Sequence, residues 1–353
     1  MVDRVYLDWN ATTPLRAEAR AAMVAAMDVV GNPSSVHAEG RAAKALVERA
    51  RAQVAAAIGA EGADVVFVSG ATEAAALACV GQGLNCAELE HEAVLAWCAP
   101  TLAVDAAGQV VVDDPGEGHA PAAVQLANSE TGVVQDLKPW IAVSDLTQGF
   151  GKLPFSFDWL GIRAGFVSAH KLGGPKGVGA LILRRGVDLP AQIRGGGQEM
   201  GRRAGTENLI GIAGFGAAAE AAALDLANGV WDRVAELRNI LEKALASGAE
   251  ETIFVGKEVA RLPNTLCLIS PGWKGETQVM QMDLAGFAIS AGSACSSGKV
   301  RASRALTAMG YDAVAAQSAI RVSLGSGTTG DEVLRFADVW LAARKRHRSR
   351  AAT

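Results

Sequence analysis

The feature that most constrains this sequence is the alternation of short apolar runs with alanine-rich stretches along residues 16–226. Helices are predicted over 16–30, 39–58 and 205–226, and strands over 65–68, 122–127, 141–144, 162–167 and 178–183. Turn signals or helix-like pieces separate the strands. This order predicts an α/β fold whose central sheet is mostly parallel and is flanked by helices on both faces.

The pattern changes after residue 226. A helix is predicted over 230–246, strands over 252–255, 265–269 and 319–324, and further helices near 301–309 and 331–344. We expect this part to form a second, smaller domain with mixed helices and strands. At 353 residues, the chain is long enough to bury one large core and one smaller core.

Composition excludes several classes of protein. Half of the residues are apolar, but no uninterrupted apolar run approaches the roughly 20 residues that span a bilayer. The first eight residues lack the order of basic, apolar and small residues that marks a secretory signal. We therefore expect a soluble, cytoplasmic protein that does not associate with membranes.

Charge and cysteine content exclude further classes. The net charge of −4 gives no electrostatic reason for direct nucleic-acid binding, and the one basic cluster, at 344–350, is predicted to be a solvated helix end or frayed tail. Five cysteines without a Cys-x-x-Cys pair argue against a disulfide framework and against a zinc site. No metal is expected.

Lys171 directly follows the strand predicted at 162–167, and the glycines and proline at 173–175 end regular structure there. A lysine that is partly desolvated and beside a histidine readily has its pKa lowered, and it then attacks carbonyl groups. The sequence therefore suggests a Schiff-base lysine. A solvated lysine in a surface turn is the alternative.

Polar residues also follow two other predicted strands. Residues 69–73 bring backbone N–H groups and the Thr72 hydroxyl to a helix start, which suits either a phosphate or an ordinary N-cap. Asp145 follows the strand at 141–144, where it could keep a pyridine nitrogen protonated or serve as a cap or ion-pair partner. Ligands of open α/β sheets bind at the carboxyl ends of strands, so we expect these residues to share a site with Lys171.

Six motifs occur in a fixed order along the chain. They lie at 6–14 (YLDWNATTP), 31–37 (GNPSSVH), 69–73 (SGATE), 168–171 (SAHK), 195–199 with 202–208 (GGGQE and RRAGTEN), and 293–297 (SACSS). In this order they resemble the motifs of the NifS/IscS-type cysteine desulfurases, a branch of the class-V aminotransferases. The resemblance covers nearly the whole chain.

The resemblance implies a fold-type I homodimer that depends on pyridoxal 5'-phosphate. On this basis we place the large cofactor-binding domain at 16–226. The small domain comprises 1–15 and 227–353 and carries the active-site cysteine loop.

The resemblance also implies a role for individual residues. Lys171 would hold the cofactor as a Schiff base and move the substrate α-proton, Asp145 would pair with the ring nitrogen, and Gln148 with the ring hydroxyl. His91 would stack on the ring and act as a proton donor. The phosphate would be held by Ala71, Thr72, Ser168 and His170, and by Thr206 reaching in from the second subunit. The substrate carboxylate would be bound by Arg321, with Asn128 and Ser129 nearby.

Cys295 decides which reaction the resemblance implies. It lies in a small, polar segment, whereas Cys79, Cys86, Cys98 and Cys267 lie in apolar or helical contexts that predict inert buried thiols. In the implied reaction, the Cys295 thiolate attacks the sulfur of L-cysteine, becomes a persulfide, and L-alanine is released. A sulfur-acceptor protein of iron–sulfur cluster assembly or tRNA thiolation would then take the sulfur.

The chain departs from the family pattern in several places, among them Ser129, Ala169 and Met200. Ser129 stands where relatives usually have an asparagine that helps to hold the substrate carboxylate. The chain is also shorter than relatives between 91 and 128 and between 132 and 145. These differences leave open another class-V reaction, such as that of a selenocysteine lyase, a β-lyase or an aminotransferase, and also a non-catalytic scaffold. Retention of Lys171 and Cys295 together argues against the scaffold.

Overall fold

A computed structural model describes residues 4–111, 120–292 and 302–351 of the chain. Its helices are α1 (Ala17–Met27), α2 (Ala38–Ile58), α3 (Ala71–Cys79), α4 (Glu92–Leu95), α5 (Phe157–Leu160), α6 (Leu209–Ala227), α7 (Val230–Gly248), α8 (Gly275–Leu284), α9 (Arg304–Ala308), α10 (Ala313–Gln317) and α11 (Gly330–Ala351). Its strands are β1 (Val5–Tyr6), β2 (Ala63–Val68), β3 (Asn85–Ala87), β4 (Ala99–Leu102), β5 (Ala122–Ala123), β6 (Ile141–Asp145), β7 (Ala164–Ser168), β8 (Gly179–Arg184), β9 (Ile253–Phe254), β10 (Thr265–Ile269), β11 (Phe287–Ala288), β12 (Ser290–Ala291) and β13 (Ala319–Ser323).

Seven strands form the large sheet, in the order β2-β8-β7-β6-β5-β3-β4. β8 runs antiparallel to both of its neighbours, and the pairings from β7 across to β4 are parallel. The predicted mostly parallel sheet is therefore confirmed. Because β2, β6 and β7 run in the same direction, their carboxyl ends meet at one edge of the sheet.

Side-chain alternation along β2 explains how the sheet is buried on both faces. Val65 and Phe67 pack with α1, α2 and α6, whereas Val66 and Val68 pack with α3 on the opposite face. Phe67 also makes an edge-to-face contact with Phe215 of α6, with ring centroids 6.2 Å apart. Helices therefore cover both faces, as the sequence predicted.

Among the described residues, α6 is the one helix that is long and apolar enough to cross a membrane. It packs against α1 and α2, and residues such as Ile212 and Phe215 are buried in the large core. Its apolar character therefore matches a core position. The helix begins at Leu209, later than predicted. Gly205 has a positive φ of +112°, which is not helical, and Asn208 caps the helix because its Oδ1 accepts a hydrogen bond from Gly211 N at 3.1 Å.

The predicted strand at 122–127 is shorter in the structure. β5 contains only Ala122 and Ala123, and its register against β6 shifts between these two residues. Backbone hydrogen bonds continue further, from Val124 N to Val143 O at 3.0 Å and from Leu126 N to Asp145 O at 2.9 Å. An irregularity in the ladder, rather than loss of pairing, therefore ends the regular strand.

The second sheet is antiparallel, in the order β12-β13-β10-β9. β10 matches the strand predicted at 265–269. The core packed on this second sheet includes Trp273 and Trp340, whose ring centroids lie 5.5 Å apart, and residues of α7 and α11. The helix α8 was not predicted, because its sequence has no clear apolar stripe and buries few residues.

The N-terminal segment joins this second part of the molecule. β1 pairs in parallel with β11, and Asp8 forms a parallel bridge with Ser323 at the end of β13. The chain then continues at Asn10 toward the carboxyl edge of the large sheet. The domain boundaries at residues 15 and 226 stay a prediction.

Trp9 of the N-terminal segment packs on Gly325, which connects β13 to α11. A Cβ atom at Gly325 would overlap the Trp9 ring, whereas one at Gly327 would meet no atom within 4 Å. We expect Gly325→Ala to lower the free energy of unfolding by about 1–3 kcal/mol through overpacking. The matched variant Gly327→Ala should change it by less than about 0.5 kcal/mol. Urea unfolding of both variants measures the difference, and equal stabilities would contradict the packing of Trp9.

Candidate active site

A cavity of about 520 Å³ opens at the sheet edge where the carboxyl ends of β2, β6 and β7 meet. Most of the residues predicted from the sequence line it: Ala71, Thr72, His91, Ser129, Asp145, Gln148, Ser168, His170, Lys171 and Arg321. Strands that run in the same direction bring residues distant in sequence to one edge, so the expected convergence is observed.

Lys171 ends a single 3-10 turn that follows β7 directly. Its Nζ donates hydrogen bonds to the backbone carbonyl of Asn10 at 2.7 Å and of Ala11 at 2.8 Å. Gly173 completes the turn with φ +92°, a conformation that favours glycine. The lysine is therefore half-buried at the cavity wall, and the alternative of a solvated surface turn is excluded.

His170 lies beside this lysine and contacts Thr12, with 3.1 Å between His170 Nδ1 and Thr12 Oγ1. Burial, together with the positive charges of Lys171 and Lys176, lowers the pKa of His170 to about 4. The ring is therefore neutral at pH 7. A neutral imidazole can still form a hydrogen bond with an anion.

The start of α3 faces the same cavity. Gly70 is the N-cap of α3, and no side chain caps the helix. A Cβ atom at Gly70 would approach only Ser168 Oγ, at 3.9 Å, so this corner is open. The N–H groups of the first turn, from Ala71 onward, lie beside the hydroxyls of Thr72 and Ser168. This arrangement suits a phosphate group.

Asp145 is the last residue of β6, and Gln148 lies in the turn that follows. The Asp145 carboxylate accepts a hydrogen bond from Thr147 N at 2.9 Å. The Thr147 hydroxyl is buried and has no hydrogen-bond partner in the described part of the chain, although it lines the cavity. An unpaired buried hydroxyl of this kind indicates a place for a polar ligand.

His91 lines the cavity and caps α4. Its Nδ1 accepts a hydrogen bond from Ala93 N at 3.1 Å. Because an accepting nitrogen carries no proton, the neutral ring has its proton on Nε2. The cap and the predicted role of proton donor are therefore compatible in one residue.

Arg321 lies on β13 and is only 4% exposed. Its Nη2 donates to the Asp8 carboxylate at 2.7 Å, and its Nη1 donates to the Ser129 carbonyl oxygen at 3.1 Å. Ser290 Oγ also donates to Asp8, at 2.8 Å. The Nε of Arg321 is buried and has no hydrogen-bond partner among residues 4–111, 120–292 and 302–351. The guanidinium is thus fixed on two sides and keeps a donor for an anionic ligand.

Ser129 contacts Arg321 through its backbone rather than its side chain. The Ser129 carbonyl accepts from both Arg321 Nη1 and Asn10 Nδ2, each at 3.1 Å. Asn128 is buried, is not among the cavity-lining residues, and uses Oδ1 to accept from Thr131 N at 2.8 Å. The serine therefore preserves the backbone contact with Arg321. Direct contact of Asn128 with a substrate stays a prediction.

Besides Asn128, two further predicted site residues are not among those that line this cavity. Thr206 is exposed and lines a smaller cavity of about 140 Å³, which shares Ser69 and Gly177 with the larger one. Cys295 lies outside the described residues. The roles of both stay predictions. The other four cysteines are buried, as expected: Cys79, Cys86, Cys98 and Cys267.

Asn10 connects several of these groups, and no role was predicted for it. Its carbonyl accepts from Lys171 Nζ at 2.7 Å and from Gln148 Nε2 at 3.0 Å. Its side-chain nitrogen donates to the Ser129 carbonyl and, at 2.8 Å, to Thr265 Oγ1. The only sequence signal was its place in the motif at 6–14.

Lys152 is a second residue that sequence reasoning missed. It is 3% exposed, and its Nζ donates to Gln148 Oε1 at 2.9 Å and lies 3.4 Å from Asn10 Oδ1. Burial, with the positive charges of Lys171 and Arg321, lowers the pKa of Lys152 to about 7. Its position four residues after Gln148 was the only available signal, because a lysine is normally expected in solvent.

Glu90 is a buried carboxyl group behind the cavity wall. Its Oε1 accepts from Gln125 N at 2.9 Å, and its Oε2 has no partner in the described structure. Burial raises the pKa of Glu90 well above its usual value, and the charge of Asp145 raises it further. Burial therefore disfavours a negative charge on Glu90 behind the cavity wall.

Sequence comparisons agree with this geometry. The profile of the family described as aminotransferase class-V matches residues 5–98 and 117–336. A cysteine desulfurase from Frankia sp. (strain EuIK1) is 42% identical over 391 residues, which cover 98% of this chain and 92% of that protein. The cysteine desulfurase IscS of Dictyoglomus turgidum is 35% identical over 371 residues, which cover 96% and 94%.

A structural comparison gives the same result. The crystal structure of a NifS-like protein from Rickettsia africae ESF-5 superposes with a TM-score of 0.87 and 31% identity, covering 96% of this chain and 98% of that chain. This chain belongs to the class-V aminotransferase family. Within that family its fold is NifS-like, so the predicted fold-type I architecture is confirmed.

The buried amine of Lys152 makes stability depend on pH. Its pKa is near 7 in the folded chain and near 10.5 when unfolded, so unfolding takes up a proton between these values and stability rises with pH across that window. From about pH 6 to pH 9, the unfolding free energy of the cofactor-free parent should rise by about 2–3 kcal/mol more than that of Lys152→Met. Denaturant unfolding at several pH values measures this.

The matched control is Lys243→Met, on the exposed face of α7. Its stability difference from the parent should stay constant across the same pH range. A constant difference for Lys152→Met would contradict the burial of an ionisable amine at position 152.

Proposed function

We propose that this protein is a cysteine desulfurase, which uses pyridoxal 5'-phosphate to convert L-cysteine into L-alanine and transfers the sulfur to Cys295. The observation that carries the proposal is that Lys171 and Arg321 line one cavity. One side chain can bond to a carbonyl carbon, and the other can bind a carboxylate. Relatives named cysteine desulfurase align over nearly the whole chain, which supports the same activity.

The residues of the cavity fit pyridoxal 5'-phosphate. Asp145 would hold the ring nitrogen, Gln148 the ring hydroxyl and Lys171 the aldehyde carbon, with His91 against the ring. The phosphate would take the uncapped start of α3 with Ala71, Thr72, Ser168 and His170. Such a ligand would also give the buried Thr147 hydroxyl a polar neighbour. When bound, the cofactor withdraws electrons from the substrate α-carbon.

Arg321 and Lys171 would act on the amino-acid backbone of the substrate. Arg321 is held by Asp8 and by the Ser129 carbonyl, so its guanidinium is oriented before the substrate carboxylate arrives. Lys171 takes the proton from the substrate Cα. His91, with its proton on Nε2, supplies the proton that the substrate Cβ needs after the sulfur has left.

The sulfur moves by one displacement. The Cys295 thiolate forms a bond to the substrate Sγ, and the Cβ–Sγ bond breaks with its electron pair remaining on the carbon skeleton. A proton on Cβ and the return of the proton from Lys171 to Cα complete L-alanine, and Cys295 holds the sulfur as a persulfide. One sulfur atom has moved between two thiol-bearing groups, so no external oxidant or reductant is required.

The proposed assembly is a homodimer in which Thr206 of each subunit completes the phosphate site of the other. The exposure of Thr206 and its small cavity beside Ser69 support this arrangement. The persulfide would pass to an acceptor protein of iron–sulfur cluster assembly or tRNA thiolation, and the cytoplasm is the proposed compartment. The relative named IscS aligns over 96% of this chain, which supports the proposed role in iron–sulfur cluster assembly.

The other class-V reactions are less well supported. Ser129 suggested a changed substrate, but its backbone carbonyl keeps the contact with Arg321. The scaffold hypothesis requires loss of the catalytic constellation, yet Lys171, Asp145, His91 and Arg321 line one cavity. Desulfuration of L-cysteine therefore remains the single proposed activity.

The decisive experiment compares two cysteine variants. Cys295→Ala should reduce formation of alanine and sulfide from L-cysteine by at least about a hundredfold, since it removes the sulfur nucleophile. It should keep the visible absorption of the lysine-bound cofactor. Cys98→Ala, at the least buried of the four described cysteines, should stay within about twofold of the parent. Parent-like sulfide formation by Cys295→Ala would rule out the proposed displacement.

Arg321→Lys tests recognition of the substrate carboxylate. Lysine keeps the charge but lacks the planar set of donors, so we expect KM for L-cysteine to rise about 10- to 100-fold with a smaller change in kcat. Arg348→Lys, an exposed substitution on α11, is the control and should leave KM unchanged. Steady-state kinetics measure both. An unchanged KM in Arg321→Lys would place the carboxylate elsewhere.

A further inference from the structure

Lys152 lies in an environment that opposes a positive charge. It is nearly inaccessible to solvent, and the charged groups whose fields it feels are Lys171 and Arg321, both cationic. Among the described residues, no carboxylate lies within ion-pair distance of Lys152. A lysine kept there without a counter-charge is unfavourable for folding, which points to a role in the site.

The contacts of Lys152 determine the orientation of the Gln148 amide. In its charged form Lys152 Nζ can only donate, and the Asn10 carbonyl on the other side of the amide can only accept, so the side-chain atom of Gln148 that lies 2.9 Å from Nζ is the carbonyl oxygen Oε1. Gln148 Nε2 then lies on the other side and donates to the Asn10 carbonyl at 3.0 Å. Since Nε2 carries two hydrogens, one N–H remains for a ligand in the cavity that Gln148 lines.

The same chain of contacts reaches Lys171. The Asn10 carbonyl accepts from Gln148 Nε2 and also from Lys171 Nζ, at 2.7 Å. These two donors use both lone pairs of the oxygen. The amide of Gln148 and the amine of Lys171 are therefore held in position by one carbonyl, with Lys152 at the far end of the chain.

We propose that Lys152 is a positioning residue that keeps a Gln148 N–H, rather than the amide oxygen, turned toward the cavity, where it binds an oxygen of the cofactor ring. This inference rests on the proposed function only in taking pyridoxal 5'-phosphate as the ligand. Lys152 does not touch the reacting atoms and acts through Gln148.

The low pKa of Lys152 is consistent with this role. Near pH 7, the amine exists in both its charged and neutral forms. A neutral amine still has two N–H donors, so it holds Gln148 Oε1 in either form. Burial therefore removes most of the charge penalty and keeps the hydrogen bond that fixes the amide.

The test is a double-mutant cycle on cofactor affinity, measured by titrating the full chain, stripped of cofactor, with pyridoxal 5'-phosphate. Lys152→Met and Gln148→Ala should each weaken binding about tenfold, and the double variant should be no more than about threefold weaker than either. Lys243→Met should bind within about twofold of the parent. Tight binding by Lys152→Met, or fully additive losses, would overturn the positioning role.

Lys152→Gln separates the donor from the charge and provides a second route if Lys152→Met does not fold. It keeps an N–H donor for Gln148 Oε1 without a positive charge, so we expect cofactor affinity within about threefold of the parent. A loss as large as that of the methionine variant would show that the charge of Lys152, and not its hydrogen bond, is needed, and would overturn the proposal.

The positioning role and the proposed function fail differently. A parent protein that binds the cofactor but forms no sulfide from L-cysteine contradicts the desulfurase proposal, and the affinity cycle still decides the role of Lys152. A parent that desulfurates L-cysteine, with Lys152→Met binding the cofactor equally well, overturns the positioning role alone.

Discussion

The concentration of positive charge beneath the carboxyl edge of the sheet is the constraint on which this site depends. Lys171 and Arg321 lie close enough to Lys152 to lower its pKa, and Lys171 also acts on His170. Asp8 offsets the charge of Arg321, while burial raises the pKa of the Glu90 carboxyl group well above its usual value. The site therefore favours anionic ligands, and ligands that carry a phosphate or a carboxylate should stabilise the folded chain against unfolding.

Asn10 allows these cations to occupy fixed positions. Its carbonyl accepts from Lys171 and Gln148, and its side chain reaches both the Ser129 carbonyl and Thr265 on β10. One buried residue of the N-terminal segment thus ties the cavity of the large sheet to the second sheet. If Asn10 moved, Lys171 would lose a hydrogen bond, and so would the Ser129 carbonyl that contacts Arg321. Correct folding of the N-terminal segment is therefore needed for the geometry of the site.

The residues that sequence reasoning found and those that it missed differ in physical character. Lys171 and Asp145 were predicted because each ends a strand, and strands that run in the same direction carry their carboxyl ends to one edge. Lys152 and Glu90 were missed because their chemistry comes from burial, which depends on what packs around them. Ser129 was considered only as a side-chain replacement for asparagine, but its backbone carbonyl contacts Arg321, and a side-chain pattern cannot reveal that.

The sequence by itself determined the order of elements, the mostly parallel sheet, the family and the set of polar residues at the strand ends. These follow from local periodicity and from motifs, which act over short stretches of chain. Only the tertiary structure decided which residues are buried and which hydrogen-bond donors pair with which acceptors. Lys152 therefore changed from an ordinary lysine to a buried amine beside Gln148, because desolvation and hydrogen-bond partners are set by contacts between distant segments.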